Sequence, residues 1–216
     1  MDTLFVLSID IGILNLGYVY ANINFPTLEV SSKIKSKLYN KNYFFNKDTI
    51  KDNINVLSCD RVDITSMKHT RVNRRECTLC HDNCVPDYLD HFIQENEDLF
   101  HTADIIILER QPPVGITNVQ DLLFRLFRNK VLLISPNSVH AYFNLPKEYT
   151  VRKERSEELA KEYIFLENFQ KNIRKHDISD ALLMIIYYYK TKIDEIIDNT
   201  TVLKLDHDFD QFRFKL

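Results

Sequence analysis

The chain has 216 residues, 44% of them hydrophobic and 27% charged, a composition typical of one globular domain with a sizeable core. It contains only three glycines and no tryptophan, which argues against a protein built on glycine-rich phosphate loops. No apolar run reaches the roughly 18 residues of a membrane span, and the first residues lack the basic start of a secretory signal. We therefore expect a soluble, intracellular protein.

The net charge of −3 is an average over unlike segments. Residues 31–80 carry 11 Lys and Arg against 5 acids, and residues 125–176 carry 11 against 6. Between them, residues 81–109 carry 8 acids and no Lys or Arg. Two basic stretches around an acidic one suit a nuclease, since phosphates need cations and metals need carboxylates. Ordinary solvated faces are the alternative interpretation.

The first third of the chain predicts an antiparallel hairpin with an added strand. The apolar run 4–11 predicts a buried central strand. A tight turn at residues 12–17 leads into the alternating strand 18–23. Residues 40–46 and 54–64 are candidates for a third strand and its extension.

Helices and strands alternate in the middle of the chain. The expected order is helix 85–100, strand 103–108, helix 117–128 and strand 130–135. Two consecutive prolines, Pro112 and Pro113, follow the first of these strands and prevent its continuation. A hairpin meander followed by alternating helices and strands predicts a mixed α/β sheet.

The last third predicts two helices. Residues 156–168 are charged and amphipathic, with three apolar residues spaced for one face: Leu159, Tyr163 and Leu166. Residues 178–197 form a long apolar helix, for which Ser179 is a candidate N-cap. The tail from residue 199 is not assigned.

Two carboxylates stand at the ends of predicted buried strands. Asp10 ends the first strand within the sequence SIDIG, and Glu109 ends the strand 103–108. A carboxylate in an apolar strand is unfavourable unless it is paired or binds a cation. Strands that end side by side would bring the two together. In the alternative interpretation, Asp10 caps a turn and Glu109 pairs with Arg110.

A second pair of acids begins the long C-terminal helix. Asp177 and Asp180 are three residues apart, which places both on one helix face. By themselves they would only favour the helix dipole. With Asp10 and Glu109 they make four oxygen ligands suited to Mg²⁺ or Mn²⁺. Two such ions, about 3.5–4 Å apart, are typical of phosphodiester hydrolysis.

Three segments contain these acids: LSIDIGILNLGY at 7–18, IIILERQPP at 105–113 and HDISDALLM at 176–184. In this order they resemble the RuvC-like Holliday junction resolvases, most closely the poxvirus-type branch of large DNA viruses. The resemblance implies an RNase H-like fold, in which an antiparallel meander is followed by parallel strands and flanked by helices. It also implies a homodimer that makes Mg²⁺-dependent paired nicks in four-way and other branched DNA. The implied metal ligands are Asp10, Glu109, Asp177 and Asp180.

The same family uses a lysine upstream of its last two acids, near the scissile phosphate. We assign this position to Lys153, with Lys147 and Arg155 as alternatives. A cation there would orient the attacking water or offset charge in the transition state. An exposed helix charge is the structural alternative for each of the three.

Other polar and aromatic residues follow the predicted strands. Arg110 and Gln111 are candidates for contacts to phosphate or backbone. After the strand 130–135, three polar residues are expected at an edge that faces DNA: Asn137, Ser138 and His140. Tyr142 and Phe143 would stack on bases at an opened junction, although core packing is the commoner fate of such rings.

All four cysteines lie between residues 59 and 84. A CxxC step in an intracellular protein favours zinc over disulfides. The candidate ligands of a structural zinc are Cys77, Cys80 and Cys84, with Cys59, His81, His91 or His69 as the fourth. Free thiols are the alternative. We expect one domain over residues 1–216, with residues 59–100 as a Cys-rich insertion.

Three further hypotheses compete with a junction endonuclease. A non-catalytic junction-binding module would share the basic stretches but would not need four acids. An RNase H-type nuclease of another substrate would use the same two-metal chemistry. An actin-like sugar or acetate kinase also begins with a DxG strand, but three glycines argue against it. A resolvase of viral origin would act in the host cytoplasm or at the site of viral DNA replication.

Overall fold

The computed structural model of the chain describes residues 2–25, 47–65 and 84–213. Its centre is one five-stranded sheet of order β3-β2-β1-β4-β5. The strands are β1 Asp2–Asp10, β2 Leu16–Phe25, β3 Ile54–Val62, β4 Ile105–Glu109 and β5 Val131–Ile134. The helices are α1 Lys47–Asn53, α2 Val85–Glu95, α3 Glu97–Thr102, α4 Thr117–Leu126, α5 Pro136–Tyr142, α6 Tyr149–Ala160, α7 Glu167–Lys171 and α8 Lys175–Arg213.

The sheet is antiparallel on one side and parallel on the other. β1 pairs antiparallel with β2, and β2 pairs antiparallel with β3. β1 also pairs parallel with β4, which pairs parallel with β5. Parallel neighbours need crossover connections, and α2, α3 and α4 provide them. The predicted fold class, an antiparallel meander followed by parallel strands with flanking helices, is confirmed.

Each face of the sheet carries its own hydrophobic core. On one face α8 packs across β1, β2 and β3, with Tyr189 and Phe169 fully buried. On the other face α2, α3 and α4 cover the sheet, and Phe92 meets Phe100 edge to face. Both faces are covered, so β1 and β4 are apolar along nearly their whole length and not only at alternate positions.

The helix predicted over 85–100 is two helices. α2 ends at Glu95 and α3 begins at Glu97, because Asn96 has non-helical backbone angles. The Asn96 side chain donates to the Phe92 carbonyl at 2.8 Å, which satisfies the end of α2. This side-chain bond competes with helix continuation, as is usual for asparagine.

The helix predicted over 156–168 is wrong in its bounds. α6 begins at Tyr149, because the Glu148 carboxylate accepts hydrogen bonds from the backbone N–H groups of Thr150 and Val151. α6 ends at Ala160, and the short α7 is a separate helix. Of the three apolar residues assigned to one helical face, Leu159 lies on α6, whereas Tyr163 and Leu166 lie in the connection to α7; all three pack against the α8 core.

The long C-terminal helix is confirmed, but it begins earlier and extends further than predicted. α8 begins at Lys175, so Ser179 lies inside it and is not a cap. The buried Ser179 hydroxyl donates to the Lys175 carbonyl at 2.8 Å. The unassigned tail from residue 199 continues the helix backbone to Arg213. No helix in the described ranges is long and apolar enough to cross a bilayer. The strand candidate at 40–46 lies outside those ranges.

Candidate active site

Strand periodicity places Asp10 and Glu109 on the same face of the sheet. Along β1, Val6 packs in the α8 core and Leu7 in the opposite core, so Asp10 faces α8 by the two-residue alternation. Along β4, Ile107 packs in the α8 core, so Glu109 faces α8 as well. Ile9 is in register with Leu108. The two acids that follow these residues therefore lie side by side at the carboxyl edge of the sheet.

A close approach between β2 and α8 brings the third acid to this point. Gly17 is the register partner of Asp10. A Cβ built on Gly17 would lie 2.9 Å from the Ile178 nitrogen and closer still to the Asp177 carbonyl. Only a glycine lets the first turn of α8 sit this close to the sheet. Asp180, one turn further on, consequently reaches the cleft in front of Asp10.

Two of the three carboxyl groups, those of Asp10 and Glu109, have a raised pKa. Burial, followed by the charges of Glu109 and Asp180, raises the pKa of Asp10 well above its usual value. Burial likewise raises the pKa of Glu109. Such mutual repulsion is typical of a site built for cations.

Lys153 is the cation that the structure brings into this cluster. Its Nζ lies 2.5 Å from Asp180 Oδ2, and its side chain is only 18% exposed. Burial lowers the pKa of Lys153, but the carboxylates of Asp180 and Asp10 outweigh it and raise the pKa above its usual value. The two alternatives from the sequence lie elsewhere. Lys147 is exposed, and Arg155 pairs with Glu158 at 2.7 Å on the surface.

Asp177 lies in the same cleft but has separate partners. It is 5% exposed. Arg174 Nε donates to its Oδ2 at 3.0 Å, and His176 Nε2 lies 3.2 Å from its Oδ1. His176 Nδ1 in turn lies 3.6 Å from Glu157 of α6. The i,i+3 spacing predicted one shared helix face, and the cleft contains both acids, but each is held by a different cation.

These residues line an open cleft of about 640 Å³. Its lining includes three acids, Asp10, Glu109 and Asp180, and the turn of residues 11–15. It also includes an exposed aromatic ring and three cations, which together form what we call the cleft wall: Tyr149, Arg152, Lys153 and Arg174. Arg61 at the end of β3 donates to the Asn15 side chain at 2.8 Å and so braces the turn.

Comparison with known proteins gives matches at the level of structure. The chain is similar to the fowlpox virus resolvase solved in complex with substrate Holliday junction DNA, with a TM-score of 0.54, 16% identity, and coverage of 87% of this chain and 97% of that one. A second structure of the fowlpox virus Holliday junction resolvase gives a TM-score of 0.51, 16% identity, and coverage of 87% and 99%. Thermus thermophilus RuvC gives 0.49, 11% identity, and coverage of 88% and 96%. No protein-family model and no curated protein sequence matches the chain.

The chain shares the fold of the fowlpox virus resolvase. At 16% identity the likeness concerns the course of the backbone. The likeness extends over nearly the whole length of that protein.

In this structure, acids of the cleft contact other side chains of the same chain. Among the described residues, no group of three or more His, Cys, Asp or Glu side chains is arranged to enclose a metal ion. Two of the four acids are held by cations of the protein: Asp180 by Lys153 and Asp177 by Arg174. The donor set nevertheless suits a hard cation, because all four acids offer oxygen atoms in one cleft.

Of the other residues singled out in the sequence, some lie in or next to the cleft and others are exposed on the surface. Gln111 donates to Glu109 Oε2 at 2.7 Å, whereas Arg110 is exposed and does not take the Glu109 partnership. His140 lines the cleft beside Asp180. Burial, followed by the Arg152 charge, lowers the pKa of His140 and so favours its neutral form. Two exposed residues of α5 precede it: Asn137 and Ser138.

The aromatic pair proposed for base stacking is packed within the protein. Tyr142 meets Phe143 and Tyr187 edge to face, with ring centroids 5.1 and 5.6 Å away. Lys190 Nζ lies 4.7 Å from the Tyr142 ring centroid. The alternative interpretation, core packing, agrees with these contacts.

Of the side chains on the cleft wall, sequence reasoning singled out Lys153 but not Tyr149, Arg152 or Arg174. Arg152 and Lys153 lie 5.5 and 5.6 Å from the centroid of Tyr149, which is 57% exposed. Arg174 was visible in the sequence as a cation three residues before Asp177, the spacing of a helical ion pair. Tyr149 had no comparable signal, because the predicted start of its helix was seven residues too late.

Only part of the predicted cysteine cluster lies in the described ranges. Cys59 is buried on β3 in the α8 core, and burial raises the pKa of its thiol to about 12. A high pKa disfavours the thiolate that a metal ligand needs. Cys84 is exposed at the start of α2. Cys77, Cys80, His69 and His81 lie outside the described ranges, so the zinc site and the insertion remain predictions.

Proposed function

We propose that this protein is a divalent-metal-dependent endonuclease that resolves four-way DNA junctions. One observation carries the proposal: Asp10, Glu109 and Asp180 meet Lys153 in an open cleft. The fold agrees with it, since the fowlpox virus resolvase was solved with Holliday junction DNA. Three mutually repelling acids that line a cleft make no contribution to a structural core, but they suit a phosphodiester-cleaving site.

The four acids are the proposed ligands of Mg²⁺ or Mn²⁺. Asp10 and Glu109 come from adjacent strand ends, and Asp177 and Asp180 come from the first turns of α8. Two bound ions would supply Lewis acidity and charge neutralisation for phosphodiester hydrolysis. Burial and, after it, neighbouring negative charge raise the pKa of Asp10 and Glu109, and a bound cation would offset both effects.

The side chains of the cleft wall are assigned to the DNA. Lys153 would place its ammonium group against the phosphate and offset the charge that develops in the transition state. Arg152 and Arg174, on the same wall, would hold neighbouring phosphates of the strand. Neutral His140 would accept a hydrogen bond from water near Asp180.

The paired nicks of junction resolution require two such clefts. Each chain has one cluster of these acids, so we infer that the active form is a homodimer with one cleft on each strand of a symmetric junction. The proposed role is DNA recombination or viral genome processing. The proposed location is inside the cell, in the host cytoplasm or at the site of viral DNA replication.

A cleavage assay tests the function. Wild-type protein and Asp180→Asn are compared on labelled four-way, Y-shaped and linear DNA, in Mg²⁺, Mn²⁺ or EDTA. The matched control is Asp52→Asn, which changes an exposed acid of α1. We expect metal-dependent nicking of the four-way DNA by wild type and control, with loss in Asp180→Asn.

The alternative outcomes are distinct. Equal cutting of all three DNAs contradicts junction selectivity and favours an RNase H-type nuclease of other substrates. Junction binding without cleavage in either metal favours a non-catalytic binding module.

A further inference from the structure

Both carboxylate oxygens of Asp177 are engaged by side chains that precede it. Arg174 Nε donates to Oδ2 at 3.0 Å, and His176 Nε2 lies 3.2 Å from Oδ1. The Asp177 side chain is 7% exposed, so little room remains for an additional partner. A cation that binds Asp177 must therefore displace one of these two contacts.

Arg174 is the partner that is free to leave. Its side chain is 43% exposed, whereas that of His176 is 16% exposed and is held between Asp177 and Glu157. Arg174 lines the cleft, and its Nη2 lies 3.1 Å from His176 Nε2, a contact that Arg174 would give up together with Asp177. A guanidinium can exchange a carboxylate for a phosphate, because the oxygen atoms of either anion accept hydrogen bonds from its N–H groups.

We propose that Arg174 and a divalent cation are alternative partners of Asp177, and that the displaced Arg174 binds a phosphate of the DNA. This inference rests on the proposed function. It makes cation binding and DNA binding mutually supportive: the cation releases Arg174 for the phosphate, and the phosphate draws Arg174 away from Asp177. In the absence of DNA, Arg174 opposes the cation.

The proposal predicts effects of opposite sign from one substitution. In Arg174→Gln without DNA, we expect Mn²⁺ alone to bind about 5-fold more tightly or better, the lower range of such couplings. In EDTA, the same variant should bind a four-way junction more weakly, and the slope of log affinity against log salt should decrease by about 1. Calorimetric titration measures the Mn²⁺ affinity, and fluorescence anisotropy with a labelled junction measures the DNA affinity.

A second cleft cation separates the specific contact from general charge. Arg152 lines the same cleft, but its guanidinium donates to the Lys147 carbonyl at 3.1 Å. Arg152→Gln should weaken junction binding while increasing Mn²⁺ affinity less than Arg174→Gln does. If Arg174→Gln does not fold, Arg174→Lys is the second variant. It loses the guanidinium but keeps the charge, and the same signs are expected at smaller size.

The outcomes separate this inference from the function on which it rests. If wild type binds Mn²⁺ and the junction but Arg174→Gln has unchanged or weaker Mn²⁺ affinity, only the inference is overturned. An unchanged salt slope for junction binding overturns it too, as does an equal gain in Mn²⁺ affinity in Arg152→Gln. If wild type binds neither Mn²⁺ nor the junction, the proposed function is overturned as well.

Discussion

At the scale of single residues, the site brings buried carboxyl groups close together. The pKa of Asp10 is raised by burial and by the charges of Glu109 and Asp180. Lys153 offsets part of this charge through Asp180. Groups that raise each other's pKa destabilise the folded chain at neutral pH unless a cation binds them. The residues that form the site therefore lower the stability of the folded protein in the absence of a cation.

We expect Asp10→Asn to stabilise the protein in EDTA at pH 7–8. The folded state holds the Asp10 proton more tightly than the unfolded chain, so its stability falls as pH rises from the ordinary value of 3.8 through the raised pKa. The amide removes this loss. Thermal unfolding should show a midpoint about 2–4 °C higher, the shift for roughly 1 kcal/mol in a protein of this size.

The difference in stability should disappear below about pH 4, where both states are protonated. Added Mn²⁺ should raise the midpoint of the wild type more than that of Asp10→Asn, since the variant has lost one proposed ligand. A variant that is less stable than wild type at neutral pH would contradict the account.

Replacing Lys153 tests the assignment of the catalytic cation. Lys153→Met keeps the length of the side chain and removes its charge, so we expect single-turnover cleavage of a four-way junction to slow by about 100-fold or more. Lys147→Met is the matched control, because this exposed lysine was the alternative in the sequence. A larger loss in Lys147→Met than in Lys153→Met would reverse the assignment.

At the scale of elements, the site depends on how closely α8 approaches the sheet. Gly17→Ala would place a methyl group 2.9 Å from the Ile178 nitrogen, against backbone that cannot rotate away. We expect a loss of about 1–3 kcal/mol in the free energy of unfolding, the usual cost of overpacking. Cleavage should fall as well, because α8 carries Asp177 and Asp180. Denaturant unfolding and the junction assay measure the two effects.

Gly115→Ala is the control for this substitution. The nearest neighbours of a Cβ there are the Gln111 side chain and the Pro112 ring, at 3.0 Å, and the residue is exposed. A side chain can move aside, so stability should change little. Equal losses in the two variants would show that glycine itself, and not the contact with α8, is what the fold requires.

The start of α6 depends on a single side-chain cap. Hydrogen bonds from the Val151 and Thr150 backbone N–H groups lower the pKa of Glu148. The cap is thus fully formed above the ordinary glutamate pKa and is lost as pH falls through the lowered value. In Glu148→Ala we expect faster amide exchange at these two residues, measured by NMR. Glu154→Ala, an exposed acid of the same helix, should leave the exchange unchanged.

At the scale of the whole molecule, paired nicking requires two chains. Heterodimers of wild type and Asp180→Asn should nick one strand of a four-way junction and leave the other intact, since each chain contributes one cleft. Mixed tagged subunits, purified in two affinity steps and assayed on a supercoiled cruciform plasmid, would give nicked circles and not linear DNA. Linear product from the heterodimer would contradict the one-cleft-per-strand arrangement.

Much of the fold follows from local patterns in the chain. Apolar runs predicted where strands occur along the chain. The strands that end at Asp10 and Glu109 lie within two residues of their predicted bounds. Helix bounds were less predictable. The start of α6 depends on a glutamate cap, which lies outside the usual Ser, Thr, Asp and Asn signals. The break at Asn96 lies inside a continuous apolar pattern, where the backbone leaves helical angles at a single residue.

The amino-acid sequence by itself determined which chemical groups are available and on which strand or helix each one lies. Strand alternation and helical spacing are local properties of the chain. They therefore indicate on which face of its own strand or helix each of the four acids lies: Asp10, Glu109, Asp177 and Asp180. Tertiary structure decided the partners. Packing selected Lys153 over Lys147 and Arg155, paired Arg174 with Asp177, and buried Cys59 in the core. Distances between elements arise from how they pack, and no local pattern contains them.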